Sequence, residues 1–562
     1  MQLLGKMQSP EFWSVDVRNK KEFERYRADL LNYWNKHDLE NKRFEALRYS
    51  EFKMFFTTGD RVIYEDQYFG RRKAIEVLVP LTLIYPEESK YLERLMDLLY
   101  SVCDEYTWCL PAHQDKLDVL NETRIDLFAS ECAFYMGVIY TLLSDRLDPL
   151  INERIKYEAQ RRVIDPFTAV ENYGWWENGT MNWTSVCIGS VACCMMLLRP
   201  DLVTDKVIER FDRAMSRYLT GFKDDGVCFE GCGYWEYGFG YFVQYADMVR
   251  TFTGGKIDHF KNPKVKTVST FLQKMFLSGN ACVSFADGGR KLSYNTAILH
   301  RLKTEYPDDV LIYTPEYSSN SMGCGRLPMR LYCAGWLVED YYNNPADDTA
   351  NFENWFADSE WYVKRNSNYG FAAKAGNNGE FHNHNDIGSF IFAKDGEQLI
   401  CDIGVGKYTR QYFENDTRYQ ILECASEGHG VPIVNGAGQR FGHKFAASDV
   451  SFKDGVLSMD LKGAYAVENL ESLVRTFTAH EDKIVLCDKI KGDVKLTERL
   501  VTLTKPEIAP GTIKIKSATL SFNPEYSVSV SVGCGTSKAN CEVYLIDFTL
   551  PENSTKFEIE IK

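Results

Sequence analysis

The feature that most constrains this chain is a change of hydrophobic period partway along it. Up to about residue 340 the apolar residues recur at helical spacing. Leu92, Leu95, Met96, Leu99 and Val102 follow the i, i+3, i+4, i+7 rule, and Val207, Ile208, Phe211, Met215, Tyr218 and Leu219 follow it again. Turn signals at Tyr85-Pro86, Arg199-Pro200 and Gly254-Gly255 separate such segments, so a stack of antiparallel helix pairs is expected. After the polar stretch NNPADDTANFEN (Asn343 to Asn354) the pattern alternates with period two. GSFIFAKDGEQLICDIG and SDVSFKDGVLSMDLKG each set two strand-like runs around an Asp-Gly turn, at Asp395-Gly396 and Asp454-Gly455. LVRTFTAHEDKIVLCDKI and YSVSVSVG continue the pattern. The fold class is α + β multidomain: helical over residues 1–345 and antiparallel β, most simply a sandwich, over 346–562.

With 562 residues, each part can bury its own core. The start MQLLGKMQSPEFWSVD lacks the basic, apolar and small-residue regions of a secretory signal. The sixteen cysteines are therefore read as reduced thiols and the protein as cytoplasmic, or periplasmic where a leader has been removed. Cys193 and Cys194 lie in an apolar helical run, where the thiol serves as a small hydrophobe. That run, Val186 to Leu198, falls short of the roughly 20 residues that cross a bilayer. The formal charge of -14 argues against nucleic acid and anionic membranes, both of which need a basic face. Self-association into a homo-oligomer stays open. Aromatic residues make up 14% of the chain, which suits either a cleft that stacks sugar rings or aromatic helix cores.

Chemistry concentrates in FHNHNDIGSF. Two of only nine histidines, His382 and His384, stand there beside Asp386, followed by Asp402 in CDIG and His429 in SEGHG. On a regular strand, residues 382, 384 and 386 would point to one side. His384, Asp402 and His429 form a two-nitrogen, one-oxygen set suited to zinc, with a fourth position for water. Spacing leaves His382 open between metal and catalysis. In the helical half, WWENGTMNW (Trp175 to Trp183) precedes an apolar helix expected to start near Thr184. An asparagine there either caps the helix or donates to a substrate carboxylate. Further on, DGVCFEGCGYWEYGFGYF sets glycines 226, 231, 233 and 238 among Tyr234, Tyr237 and Tyr241, a loop entering a helix, with Tyr234 and Tyr237 on one face. Such a tyrosine either packs in the core or serves as acid and base once a cation or donor stabilises its phenolate.

The segments HNHNDIGSF, DIG, ENDTRYQ (Glu414 to Gln420) and SEGHG resemble the C-terminal signature of the heparinase II/III-like polysaccharide lyases, and MNW and EGCGYWEY resemble the helical-domain signatures of the same family. The resemblance runs from about residue 100 to about 445. It implies an incomplete (α/α) toroid followed by an antiparallel β-sandwich. The implied activity is that of a carbon–oxygen lyase cleaving uronate glycans, glycosaminoglycan-like or alginate-like, by β-elimination. It assigns the substrate carboxylate to Asn182, acid and base work to Tyr237 ahead of Tyr234, and catalysis in the β half to His382. His384, Asp402 and His429 match zinc ligands, for one structural ion, since elimination needs no hydroxide. Several relatives carry a histidine just after the asparagine; here Trp183 stands there, which leaves fewer base candidates.

Trp108, His113, Trp175 and Trp176 have the residue types of sugar subsites or of packing, and Arg418 either binds a carboxylate or sulfate or pairs with Asp416 or another acid. The expected ligand is an acidic oligosaccharide. Two other readings compete. One is a toroidal glycoside hydrolase using Glu230 and Asp225, and the other is a non-catalytic carbohydrate-binding protein.

Overall fold

The helix Asn182–Leu198 is the element around which the helical unit packs: Leu127–Leu143, Asp205–Thr220 and Gly240–Phe252 all lie against it. It can serve three neighbours because it is apolar on every side and rich in small residues, buried from Thr184 to Met196. At Gly189 the approach is close; a Cβ there would lie 3.2 Å from the Tyr241 carbonyl oxygen. A computed structural model describes residues 2–14, 20–118, 122–292, 296–313, 323–336, 350–536, 542–552 and 554–562.

The helical stripes read from the sequence are the buried ones. Ser89–Cys103 buries Leu95, Leu98, Leu99 and Val102, and Asp205–Thr220 buries Ile208, Phe211, Met215, Tyr218 and Leu219. Successive helices pair: Val62–Ile84 with Ser89–Cys103, Leu127–Leu143 with Pro149–Ala159, and Thr296–Glu305 with Leu327–Trp336. Asp126 starts one of these helices by accepting from the Ala129 amide at 2.7 Å. The result is a toroid of helix hairpins.

The chain divides into two compact units, but not by one cut. The first comprises Met1–Gly221, Trp235–Lys266 and Ser293–Ala346; the second comprises Phe222–Tyr234, Thr267–Leu292 and Asp347–Lys562. Two segments from the first 345 residues therefore belong with the strands, which a period-based boundary at 345/346 does not foresee. Residues 343–349 of the expected linker lie outside the described residues.

The second unit is an antiparallel β-sandwich. A five-stranded meander runs Phe352–Phe356, Trp361–Arg365, Gly370–Lys374, Phe390–Lys394 and Glu397–Ile400. An eight-stranded sheet includes Leu470–Ala479 and Ile484–Gly492, and a four-stranded sheet includes Leu496–Thr502 and Glu542–Thr549. Both expected hairpins form. Their Asp-Gly turns take positive φ at both positions, 53° and 77° at Asp395-Gly396 and 49° and 74° at Asp454-Gly455, as a two-residue turn matched to strand twist requires. Phe477 fills the core between Phe371 and Phe390, with ring centroids 5.4 and 5.2 Å away. Among the described residues no disulfide links any pair of cysteines, and no helix is long and apolar enough to cross a membrane.

One buried cation ties two of these sheets together. Arg475 in the eight-stranded sheet pairs with Asp488 of the same sheet at 2.6 Å and with Glu498 of the four-stranded sheet at 2.9 Å. Its other arm donates to the carbonyls of Gly388 at 2.8 Å and Gly430 at 2.7 Å, the backbone beside His429 and at the end of the HNHND loop. All three side chains are buried, so removing the arginine leaves two uncompensated carboxylates. Arg475→Met is expected to lower the unfolding free energy by about 3–5 kcal/mol in urea denaturation.

Candidate active site

The β unit gathers its reactive side chains around Asp287, an aspartate in the loop that follows the short strand Ala281–Cys282. Its side chain is fully buried and accepts from five donors: His382 Nδ1 at 2.5 Å, His384 Nε2 at 3.1 Å, Tyr408 Oη at 3.0 Å, Tyr412 Oη at 2.5 Å and Arg418 Nη2 at 3.1 Å. Burial alone would raise this carboxyl. The charge of His382, the hydrogen bonds from both histidines and the charge of Arg418 instead hold it well below the usual carboxylate range. Nothing in the sequence marked Asp287, because ADGG reads as an ordinary turn.

His382 is held on both nitrogens. Nδ1 meets Asp287, and Nε2 lies 3.3 Å from Glu230 Oε2. Burial would lower its pKa, but the charge and hydrogen bond of Asp287, then the charge of Glu230, raise it above the ordinary histidine value. The Tyr234 ring lies against the imidazole, centroids 4.4 Å apart, and the Tyr234 hydroxyl is 2.8 Å from that of Tyr408. His382 has φ of 56°, a left-handed conformation that costs a non-glycine residue about 1–3 kcal/mol. Residues 380–388 form no strand, so the condition under which 382, 384 and 386 would point to one side is not met. His382 and His384 converge on Asp287 through the turn, while Asp386 pairs with Lys374 at 2.6 Å.

The three expected metal ligands come together. His384, Asp402 and His429 are buried, and one ligand atom from each lies within 4.8 Å of the others. His384 Nδ1 is buried without a hydrogen-bond partner, and His429 Nδ1 and Asp402 Oδ2 face each other at 3.3 Å without making a hydrogen bond, a costly state for polar atoms that a cation would relieve. The opposite atom of each is engaged: His384 Nε2 on Asp287, His429 Nε2 on the Glu423 carbonyl at 2.9 Å, and Asp402 Oδ1 accepting from the Gly404 amide at 2.8 Å. Such outer contacts fix the tautomers and aim the open atoms inward. The donor set fits a divalent cation.

The two expected tyrosines part company, Tyr234 belonging to the β unit and Tyr237 to the helical one. Residues Trp235–Phe239 form a π turn, wider than an α turn, so Tyr234 and Tyr237 do not share a face. Tyr237 is buried, its hydroxyl donating to Glu131, with the Arg326 guanidinium 4.0 Å over its ring. Burial and then the Glu131 charge push this phenol well above its ordinary pKa. The resemblance placed Tyr237 ahead of Tyr234; here Tyr237 meets Glu131, and Tyr234 is the one that lies against His382.

Asn182 is the first residue of its helix, two positions earlier than expected, and it follows the N-cap Met181 rather than serving as the cap. Ser185 Oγ donates to the Gly238 carbonyl at 2.7 Å, and a Cβ on Gly238 would lie 3.1 Å from that of Asn182, so the π turn sits directly on this helix end. Trp183 meets Trp175 at 5.1 Å and His113 edge-on at 4.7 Å, with His113 Nδ1 held by Asp126 at 2.6 Å. Trp175 is 59% exposed.

Two expected ligand contacts are corrected, and Arg418 takes its alternative of pairing with another acid, Asp287. Trp108 is buried, its indole N–H on the Val102 carbonyl, and Trp176 is buried against Tyr173, so both are packing residues. Arg418 is buried too, donating to Asp287 and to the carbonyls of His382, Asn383 and Tyr412. It supports the histidine loop and neither meets Asp416 nor faces solvent. The carboxylate pair of the hydrolase reading is also occupied: Asp225 accepts from the Ser359 amide at 2.8 Å and hydroxyl at 2.9 Å, and Glu230 faces His382.

Residues 351–539 match the family described as heparinase II/III-like, C-terminal. No curated protein matches the chain. Among solved structures, the heparinase III BT4657 gene product is similar at 11% identity and a TM-score of 0.60, over 94% of this chain and 83% of that one. The heparan sulfate lyase HepC of Pedobacter heparinus is similar at 12% identity and 0.57, over 95% and 88%. A chondroitin AC lyase of Streptomyces coelicolor A3 is similar at 11% identity and 0.54, over 99% and 82%. At these identities the likeness is one of fold.

Because five donors depend on one carboxylate, Asp287→Ala is expected to lower stability by about 3–5 kcal/mol in urea denaturation. Asp416→Ala, at an exposed neighbouring site, is expected to change it by less than about 0.5 kcal/mol.

Proposed function

We propose that this chain, a heparinase II/III-like protein by its C-terminal region, is a polysaccharide lyase that cleaves uronate-containing glycosaminoglycans by β-elimination, with Tyr234 as its acid and base and His382 as the cation that favours the phenolate. The observation that carries this reading is the Tyr234 ring lying 4.4 Å from a doubly held imidazole. Elimination asks one group to take a proton from C5 and another proton to reach O4 as it leaves. The C5 proton resists removal because the adjacent carboxylate is already negative. A phenolate can do both jobs in turn, and its formation is favoured by a cation alongside. His382, drawn towards its charged form by Asp287 and Glu230, is that cation.

Asn182 is the residue we assign to the substrate carboxylate. Its amide stands at the start of a 17-residue helix, where the unsatisfied N–H groups and the helix dipole favour an anion. Neutralising the carboxylate lets charge develop at C5, which is preorganised electrostatic stabilisation. Trp175, Trp183 and His113 offer a surface for further sugar rings, and Trp175 is the exposed member. In the β unit an open groove of about 770 Å³, lined by Asn385, Tyr419, Ser426, Gln439 and Phe441, offers amides and an aromatic wall of the same kind. The substrates named for the similar solved structures, heparan sulfate and chondroitin, favour a glycosaminoglycan over alginate.

We also propose that His384, Asp402 and His429 hold one zinc ion, the cation suited to two imidazoles and a carboxylate. When bound it supplies a cross-link among three loops and charge to offset Asp402. The protein's own residues carry out the elimination.

With heparan sulfate, chondroitin and hyaluronan oligosaccharides as substrates, the expected products absorb in the ultraviolet through a conjugated 4,5-double bond and gain no water by mass spectrometry. Tyr234→Phe and His382→Ala are each expected to lower kcat by about 10²–10⁴-fold, and Tyr237→Phe by less than about tenfold. Full activity in the first two variants, or products that contain added water, would overturn the assignment.

Metal analysis is expected to find about one zinc per chain. Prolonged chelation should lower Tm, and His429→Ala should abolish both the metal and the chelation effect. A metal-free protein whose Tm is indifferent to chelators would remove the zinc proposal.

A further inference from the structure

Tyr408 carries a hydroxyl with two partners and one proton. Asp287 Oδ2 lies 3.0 Å away and the Tyr234 hydroxyl 2.8 Å away. Five donors on two carboxylate oxygens leave Asp287 no room for a proton of its own, so Tyr408 donates to Asp287 and accepts from Tyr234. In this state Tyr234 is a phenol whose O–H points inward. Were Tyr234 to ionise, its oxygen could no longer donate, and the Tyr408 O–H would be free to turn to it. Asp287 can release that one donor because His382, His384, Tyr412 and Arg418 remain on it. The Tyr408 ring itself is fixed, packed on Tyr412 at 5.0 Å and edge-on to Phe413 at 4.9 Å, so the turn is a rotation of the hydroxyl alone.

We propose that Tyr408 is a positioning residue whose hydroxyl switches from Asp287 to Tyr234 and thereby stabilises the Tyr234 phenolate. This rests on the lyase reading and extends it to a residue that does not touch the sugar. Among the described residues, the charged and titratable groups around Tyr234 include His382 against its ring, Tyr408 at its hydroxyl, and Glu230, Asp287 and Arg418 behind these two. Against Tyr234, His382 contributes charge and Tyr408 contributes a hydrogen bond to the oxygen. Burial, the Tyr234 charge and the Asp287 charge keep Tyr408's own phenol well above its ordinary pKa, so it stays protonated and able to donate.

The test is the pH profile of kcat for wild type and Tyr408→Phe. A hydrogen bond to a charged oxygen is lost, so the rising limb that reports Tyr234 ionisation should move up by about one to two pH units. At neutral pH kcat should fall about 10–100-fold, KM should stay within about twofold, and activity should recover at alkaline pH. A structural role would instead depress kcat equally at every pH. An unshifted limb in an active, folded variant, or a uniform loss with a lowered Tm, overturns the proposal. Wild-type protein with no lyase activity on any of the oligosaccharides would strike the function itself and not Tyr408.

Discussion

A carboxylate buried without compensation would neutralise itself or unfold its surroundings, and the β unit avoids both outcomes by giving Asp287 five donors. Those donors come from three separate stretches: 382–384, 408–412 and 418. Asp287 therefore orders loops far apart in sequence, and they in turn keep it charged. The arrangement is cooperative in the strict sense, since each donor is held by an acceptor that needs the others to remain ionised. It also explains how His382 keeps a left-handed φ of 56°. A strain of about 1–3 kcal/mol is small beside two engaged ring nitrogens and a backbone carbonyl gripped by Arg418.

The loop that carries the histidines is fixed at both ends by different physics. At its far end Arg475 binds the Gly388 carbonyl, and the same guanidinium holds Gly430, next to His429. Near its middle the orphaned atoms of His384, Asp402 and His429 face one another, an arrangement that a divalent cation would relieve. Covalent links play no part among the described residues; buried charge does the work that disulfides do in small secreted domains.

How much of this could be read from the sequence follows from how local each cause is. The hairpins were legible because an Asp-Gly turn and two alternating runs sit within some fifteen residues, and their backbone signs follow directly. The helical stripes were legible for the same reason. The unit boundaries were only half legible, because the membership of 222–234 and 267–292 in the β unit is a matter of tertiary packing that no period records. Among the site residues, the metal set could be proposed since histidine is rare and clustered. Asp287 could not, since an aspartate before two glycines is ordinary. The shared face expected for Tyr234 and Tyr237 assumed α spacing where the chain makes a π turn, while the order of the two came from family resemblance and not from spacing. Trp108 shows the limit of composition: a tryptophan suited to sugar stacking is equally suited to a core, and only burial separates the two.

A tyrosine that works as a base near neutral pH must lose about three units from an ordinary value near 10, roughly 4 kcal/mol in favour of the phenolate. No single neighbour supplies that. A cation partly shared with two carboxylates, as His382 is with Asp287 and Glu230, gives only part of its charge to Tyr234. One charge-assisted hydrogen bond contributes about 1.5–3 kcal/mol. The imidazole against the ring face and a hydroxyl at the oxygen act on different parts of the phenolate and so can add. In the proposed mechanism, that need for two modest contributions from two directions is met by Tyr234 standing between His382 and Tyr408, both of them held from behind by the same aspartate.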